Sequence, residues 1–227
     1  MHNTLRGPLA GVFKLLMASA FCACALAACS SASPKGAGAG GPADAFSGAS
    51  KAGADMPPIT EDIAPVQGAR RVLVVYFSQG SATRRVAEDL GELLGAEVER
   101  IVERKSRAGF FGFMGAGADA TFGRATKIEA PSKDPTAYDA VVVCTPVWSW
   151  HLSPPVRSWL LLFKGRLPRS VFVAVSGDTA PEKIVAMMEK ASGAKAAAYA
   201  GFSDRDFEPE NRAAYVDKMS RLVAGFN

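Results

Sequence analysis

The stretch Ser78-Gln79-Gly80-Ser81-Ala82-Thr83 sets three hydroxyls and one glycine immediately before a run with helical periodicity. Hydroxyls beside the free N–H groups of a helix start can hold a phosphate without a lysine. The plainer reading is a helix N-cap. The stretch lacks GK[ST], against a P-loop NTPase, and lacks GxGxxG, against a dinucleotide fingerprint. A second stretch, Thr145 to Pro155, places Trp148 and Trp150 directly after a buried apolar run. A tryptophan there either stacks on a planar ligand or packs on neighbouring loops. Pro146, Val147 and Ser149 flank the first of them. His151, the only histidine after residue 2, is a surface loop residue or, beside a ligand, a proton donor. A third stretch, Val175 to Ala180, holds Ser176, Gly177 and Asp178. Gly177 lets the backbone approach a ligand, and Asp178 suits an N-cap.

Other chemistries lack their residues. Cys144 is the only cysteine after Cys29, so there is neither a disulfide framework nor a CxxC metal site. No glycine stands two residues before Ser176, so there is no nucleophile elbow. No basic cluster runs longer than a pair, as at Arg70-Arg71 and Arg84-Arg85, and the net charge is +4. That is far from the charge density of a nucleic-acid binder.

The elements that must carry these loops alternate between strand and helix. Val72 to Phe77 is a continuous β-branched and aromatic run, as a parallel strand buried on both faces requires. Thr83 to Leu94 puts Val86, Leu90, Leu93 and Leu94 on one helical face, with Gly95 at the C-cap. Further strands are expected at Glu97 to Val102, Ala140 to Cys144 (ended by Thr145-Pro146), Val171 to Val175 and Ala196 to Phe202. Helices are expected at Val156 to Phe163, from Pro181 to about Ala191, and from Pro209 to about Ala224. Five strands alternating with helices make a doubly wound α/β sheet, whose ligands sit beyond the carboxyl ends of the strands. The loops after strands one, three and four are therefore the places for a site.

The first 68 residues are read as an address and a tether. Arg6 and Lys14 precede an apolar, small-residue run from Leu15 to Ala28 that ends in Leu26-Ala27-Ala28-Cys29. The run is short for a membrane span and has the form of a secretory signal; its end resembles the bacterial lipobox. Residues 1–28 are then a cleaved signal that removes Cys22 and Cys24, and Cys29 is the lipidated residue. The alternative is ordinary cleavage and a secreted protein. Residues 29–68, rich in Ala, Gly, Ser and Pro, form a flexible linker, and 69–227 the folded domain. A multiply acylated cysteine anchors firmly, which places the domain in the cell envelope, outside the cytoplasm. Ser30, in place of an inner-membrane Asp signal, points to the outer membrane in a Gram-negative cell.

From Arg70 onward the chain resembles the flavodoxin family, in particular its short bacterial branch. VLVVYFSQGSATRRVAEDL, YDAVVVCTPVWSWHLSPPVRSWL and VAVSGDTAPEKIVAMM carry the resemblance. It implies a five-stranded parallel sheet of order 2-1-3-4-5 and a tightly bound, non-covalent FMN. By motif position, Ser78, Gly80, Ser81, Ala82 and Thr83 would hold the phosphate. Pro146, Val147, Trp148 and Ser149 would flank the isoalloxazine, with Trp148 the stacking ring. Ser176, Gly177 and Asp178 would meet its other edge. The chain departs from the family pattern where Ser81 follows Gly80 in the first loop, because the family's Gly stands one place later. It departs again at Asp178, where a second Gly is usual, and at Trp150 and His151. Residues 105 to 127 fall between strands two and three. Phe110, Phe111, Phe113, Met114 and Phe122 would pack on the sheet, or else form a lid or a lipid-facing patch.

The resemblance implies electron transfer or an FMN-dependent reduction of a small acceptor such as a quinone, with donor and acceptor unidentified. From Arg70 onward there are 22 basic and 18 acidic side chains, unlike the strongly acidic shuttle flavodoxins. The alternative is a binding lipoprotein that kept the fold and lost the flavin.

Overall fold

The computed structural model describes residues 55–66, 68, 70–104, 121, 123–177 and 179–226. Five parallel strands form the sheet: β1 (Val72–Tyr76), β2 (Glu97–Arg100), β3 (Ala140–Trp148), β5 (Arg169–Val175) and β6 (Ala196–Phe202), in the order β2-β1-β3-β5-β6. The two-residue β4 (His151–Leu152) lies off this path and pairs antiparallel with the end of β3. This is the doubly wound sheet that the sequence implies. One cross-strand row runs Val98, Val74, Val142, Val171, Ala198. The chain leaves β1 toward β2 on one side and returns through β3 on the other. The topological switch point therefore falls between β1 and β3.

Alternation along the buried strands feeds two separate cores. Val72, Val74, Tyr76 and Val142 face α1 (Ala82–Leu94) and α4 (Arg212–Ala224). Leu73, Val75, Val141 and Val143 face α2 (Pro154–Leu162) and α3 (Pro181–Ser192). Both faces of the central strands are covered, which explains their unbroken apolar runs. Gly95, in the left-handed conformation at φ 55°, closes α1 and turns the chain into β2.

The α1–α4 face also carries a polar lock. The buried Tyr215 hydroxyl donates to Asp89 Oδ2 at 2.6 Å, and Arg85 Nε reaches Asp89 Oδ1 at 2.8 Å. Burial raises the Asp89 carboxyl above its ordinary value, against the hydrogen bonds from Tyr215 and Arg85. Burial, reinforced by the Asp89 charge, pushes the Tyr215 phenol up as well.

Two expectations change on sight of the structure. The span expected as linker ends in a segment that packs on the domain. Ile59, in a short 3-10 turn (Ile59–Glu61), is fully buried, and Met56, Ile63 and Val66 pack beside it. Burying an isoleucine stabilises by about 1.5–3 kcal/mol. Arg85 donates to the carbonyl oxygens of Met56 and Pro57, and Arg212 to Asp62 and the Pro58 carbonyl. No period of 2 or 3.6 marks this strap in the sequence. Second, β3 does not stop at Thr145-Pro146. It runs on to Trp148, with Thr145 opposite Ala174 and Pro146 opposite Val175. β1 pairs with β3 only as far as Cys144, so Pro146 sits where one flank of the strand is open, and a proline is tolerated there.

Candidate functional site

Three loops converge beyond the carboxyl ends of β1, β3 and β5. Ser78, Gln79, Gly80, Ala82 and Thr83 line one side of a cleft, Pro146, Val147 and Trp148 another, and Val175, Ser176 and Gly177 a third. The cleft has a volume of about 160 Å³ and is open to solvent, a shallow groove rather than an enclosed cavity.

The first loop is a preformed cradle. The Ser78 hydroxyl donates to the Gly80 carbonyl at 2.7 Å, so it shapes the loop from within. Ser81 is the residue before α1, at φ −92° and ψ −33°, with no capping hydrogen bond from its side chain. That is ordinary right-handed backbone, so serine stands there without strain and the departure from the family's glycine leaves the turn intact. The first helical hydrogen bond runs from Arg85 N to Ser81 O at 2.7 Å. The N–H groups of Ala82, Thr83 and Arg84 precede it and have no acceptor within the helix. Thr83 is 3% exposed and lines the cleft. The Thr83 hydroxyl and the free amides, at the positive end of a helix dipole, can cradle an oxyanion.

The second loop is a tight hairpin. Trp148 pairs with His151, and Ser149-Trp150 form the two-residue turn between them. Both turn residues have positive φ, 47° and 61°. This pairing suits Asn-Gly and strains a tryptophan. The ring of Trp148 is buried and meets Phe77 edge-on at 5.5 Å, in the core layer beneath the cleft. Trp150 is 63% exposed. The exposed aromatic surface of this loop is thus that of Trp150, while Trp148 gives the cleft a packed wall. His151 Nδ1 lies 2.6 Å from the Ser149 carbonyl, which can only accept. The proton is therefore on Nδ1, and the ring braces the turn. Thr145 and Ser153, both fully buried, share a hydrogen bond of 3.0 Å that ties the foot of the hairpin.

The third loop is held by Ser176, whose hydroxyl donates to the Thr179 carbonyl (3.2 Å) and accepts from the Thr179 N–H (3.1 Å). The Ser176 N–H donates to the Phe202 carbonyl at 2.9 Å, so what Ser176 offers a ligand is its carbonyl oxygen. A Cβ on Gly177 would approach nothing closer than Asp204 Oδ2 at 3.9 Å, so the missing side chain is open space at the cleft wall. Asp178 and Cys29, both singled out by sequence, lie outside the described residues, as do Phe110, Phe111, Phe113, Met114 and Phe122. Sequence reasoning missed Gln79, Val175 and Asp204 among the lining residues. Asp204 follows β6, and the rule that ligands sit at strand carboxyl ends covers that strand too. Among the described residues no group of three His, Cys, Asp or Glu can hold a metal, and no helix is long and apolar enough to cross a membrane. Cys144 is fully buried, and burial pushes its thiol up, so it is not a nucleophile.

No protein-family model and no curated protein matches the chain. Solved structures do. A flavoprotein from Lactobacillus acidophilus, in complex with FMN, is 20% identical with a TM-score of 0.53, covering 67% of this chain and 99% of that one. A Bacteroides eggerthii protein assigned as a flavoprotein is 19% identical with a TM-score of 0.51, over 67% and 99%. The chain has the flavodoxin-like fold, with the strand order expected from its sequence.

Proposed function

We propose that this chain is an FMN-binding redox protein, tethered to a membrane of the cell envelope by a lipidated Cys29. One observation carries the flavin reading. The three loops form a single cleft that offers a hydroxyl and helix-start cradle at one end and aromatic and backbone walls at the other. The test of fit is the chemistry of the cradle, where the Thr83 side chain lines the cleft beside the free N–H groups at the start of α1. The fold's likeness to an FMN-bound flavoprotein supports the same reading.

In this reading Thr83, the N–H groups of Ala82 and Thr83, and the loop residues Gly80 and Ser81 hold the phosphate, and Ser78 keeps the loop in shape. Pro146, Val147, Trp148 and Ser149 wall one side of the ring, and the backbone of Ser176, Gly177 and Asp178 meets another. When bound, FMN supplies the capacity to take and release electrons. The protein's task is to orient the ring, limit water and set the charge around it. The packed wall of Trp148 and the carboxylate of Asp204, both lining the cleft, are placed to do so. An acceptor such as a quinone would approach over the hairpin. The modest excess of basic side chains suits a small acceptor or an acidic partner better than the role of an acidic shuttle.

Purification of the full-length chain from membranes, followed by visible absorption, tests the flavin. Bands of oxidised flavin that are released on denaturation support it. A colourless protein that stays colourless after incubation with FMN leaves a binding lipoprotein that lost the cofactor. The anchor is tested apart from it. Metabolic labelling with a fatty acid should mark the chain, and Cys29→Ala should abolish the label. Unchanged labelling in that variant would remove the proposed anchor.

A further inference from the structure

Neutral donors can hold a phosphate in the cradle, and one residue of β2 adds a full positive charge to them. A phosphate monoester carries close to two negative charges near neutral pH. Yet every donor in the loop itself is a neutral hydroxyl or amide. Three arginines lie near it in the sequence or the sheet. Arg84 is paired with Glu88 at 3.4 Å, one turn along α1. Arg85 turns away to Asp89 and the strap. Arg100, the last residue of β2 and the cross-strand neighbour of Tyr76, forms no ion pair among the described residues. Its Nη2 instead donates to the Ser78 carbonyl at 3.1 Å. Its charge bears on Tyr76, whose phenol it pulls down against the rise from burial.

We propose that Arg100 is the phosphate-selective positioning residue of this site, acting in two ways. It holds the Ser78 carbonyl, an acceptor that would repel a phosphate, turned toward β2. It also brings an uncompensated positive charge to the base of a loop that has none. The selectivity is for the phosphorylated flavin over its unphosphorylated form, and it rests on the FMN reading above. Arg100 is exposed, so its reach is screened by salt.

The test compares FMN with riboflavin on the full-length chain in mild detergent, by quenching of flavin fluorescence. The two ligands share the ring and ribityl chain and differ in the phosphate. At low salt, Arg100→Gln is expected to weaken FMN about fivefold and to leave riboflavin within about twofold, as loss of one charge several ångströms from the phosphate implies. Arg100→Lys keeps the charge and is expected to recover most of the loss. The gap between wild type and Arg100→Gln should close in 1 M salt, where the Debye length is about 3 Å. Equal weakening of FMN and riboflavin, with no recovery in Arg100→Lys, would reduce Arg100 to a shaper of the loop and overturn the proposal. Unchanged FMN affinity in Arg100→Gln would overturn it while leaving the flavin reading intact. A wild-type chain that binds neither ligand would remove the flavin reading, and this inference with it. Arg100→Met serves if Arg100→Gln fails to fold, with thermal unfolding as the check.

Discussion

The two halves of the cleft are built in opposite ways. The loop 78–83 has ordinary backbone, an internal hydrogen bond, and a helix behind it that is braced by the Asp89–Tyr215–Arg85 lock and the 55–66 strap. The hairpin 147–152 turns through two non-glycine residues at positive φ and lifts a tryptophan into solvent. Local strain of this kind persists only where surrounding structure over-determines it, and it concentrates at sites of binding. Here the Thr145–Ser153 bond, the His151 brace and the Phe77–Trp148 contact supply that structure. The contrast teaches that the first loop is held rigid by its supports, while the hairpin keeps a strained turn and an exposed tryptophan.

The largest effect should come from breaking the brace. Asp89→Ala leaves the Tyr215 hydroxyl and Arg85 without their buried partner, and is expected to cost about 3 kcal/mol in urea unfolding. Asp89→Asn, which can still accept from Tyr215, should cost less. The pH dependence separates charge from contact. Because burial raises the Asp89 carboxyl, its ionisation is less favourable in the folded chain than in the unfolded one. The advantage of wild type over Asp89→Asn should therefore be greatest below the ordinary carboxylate range and shrink as pH rises through the raised value. An advantage that grows with pH would mean that the ion pair with Arg85 outweighs burial.

On the cradle, Thr83→Val removes a donor without changing shape. FMN affinity should fall about tenfold, as for the loss of one hydrogen bond to a charged group, and riboflavin affinity should not change. A smaller effect comes from relaxing the hairpin. Ser149→Asn with Trp150→Gly installs the residues this turn prefers and is expected to raise stability by about 1 kcal/mol, read as a higher Tm. The same change should weaken FMN if Trp150 covers the ring, and leave it unchanged if Trp150 serves a partner. Asp204→Asn should have the least effect, within about threefold on FMN affinity, since the carboxylate is exposed and screened.

How far the molecule was legible follows the same divide. Val72 to Tyr76 and Ala140 to Cys144 read as strands because both faces of a parallel sheet demand apolar residues, and Gly95 and Gly193 stand at helix ends where left-handed backbone is needed. The loop 78–83 read correctly as the start of a helix, and its neighbours in the sheet followed from the strand order. The hairpin did not. Ser149-Trp150 carries none of the Asn-Gly chemistry that marks such a turn, so β3 seemed to end at Pro146. Nor could spacing say which tryptophan is buried: Trp148 turns inward on the last residues of β3, and only the turn after it exposes Trp150. The strap was invisible because its contacts run through carbonyl oxygens, the Asp62 carboxylate and a few apolar side chains that follow no periodic pattern.

The most direct measurement is titration of the full-length chain with FMN, followed by flavin fluorescence and visible absorption in wild type and Thr83→Val. Saturable quenching at micromolar FMN or below, weakened about tenfold by the substitution, is the expected result. No quenching at those concentrations, or quenching indifferent to Thr83, would contradict a flavin phosphate in the cradle at the start of α1.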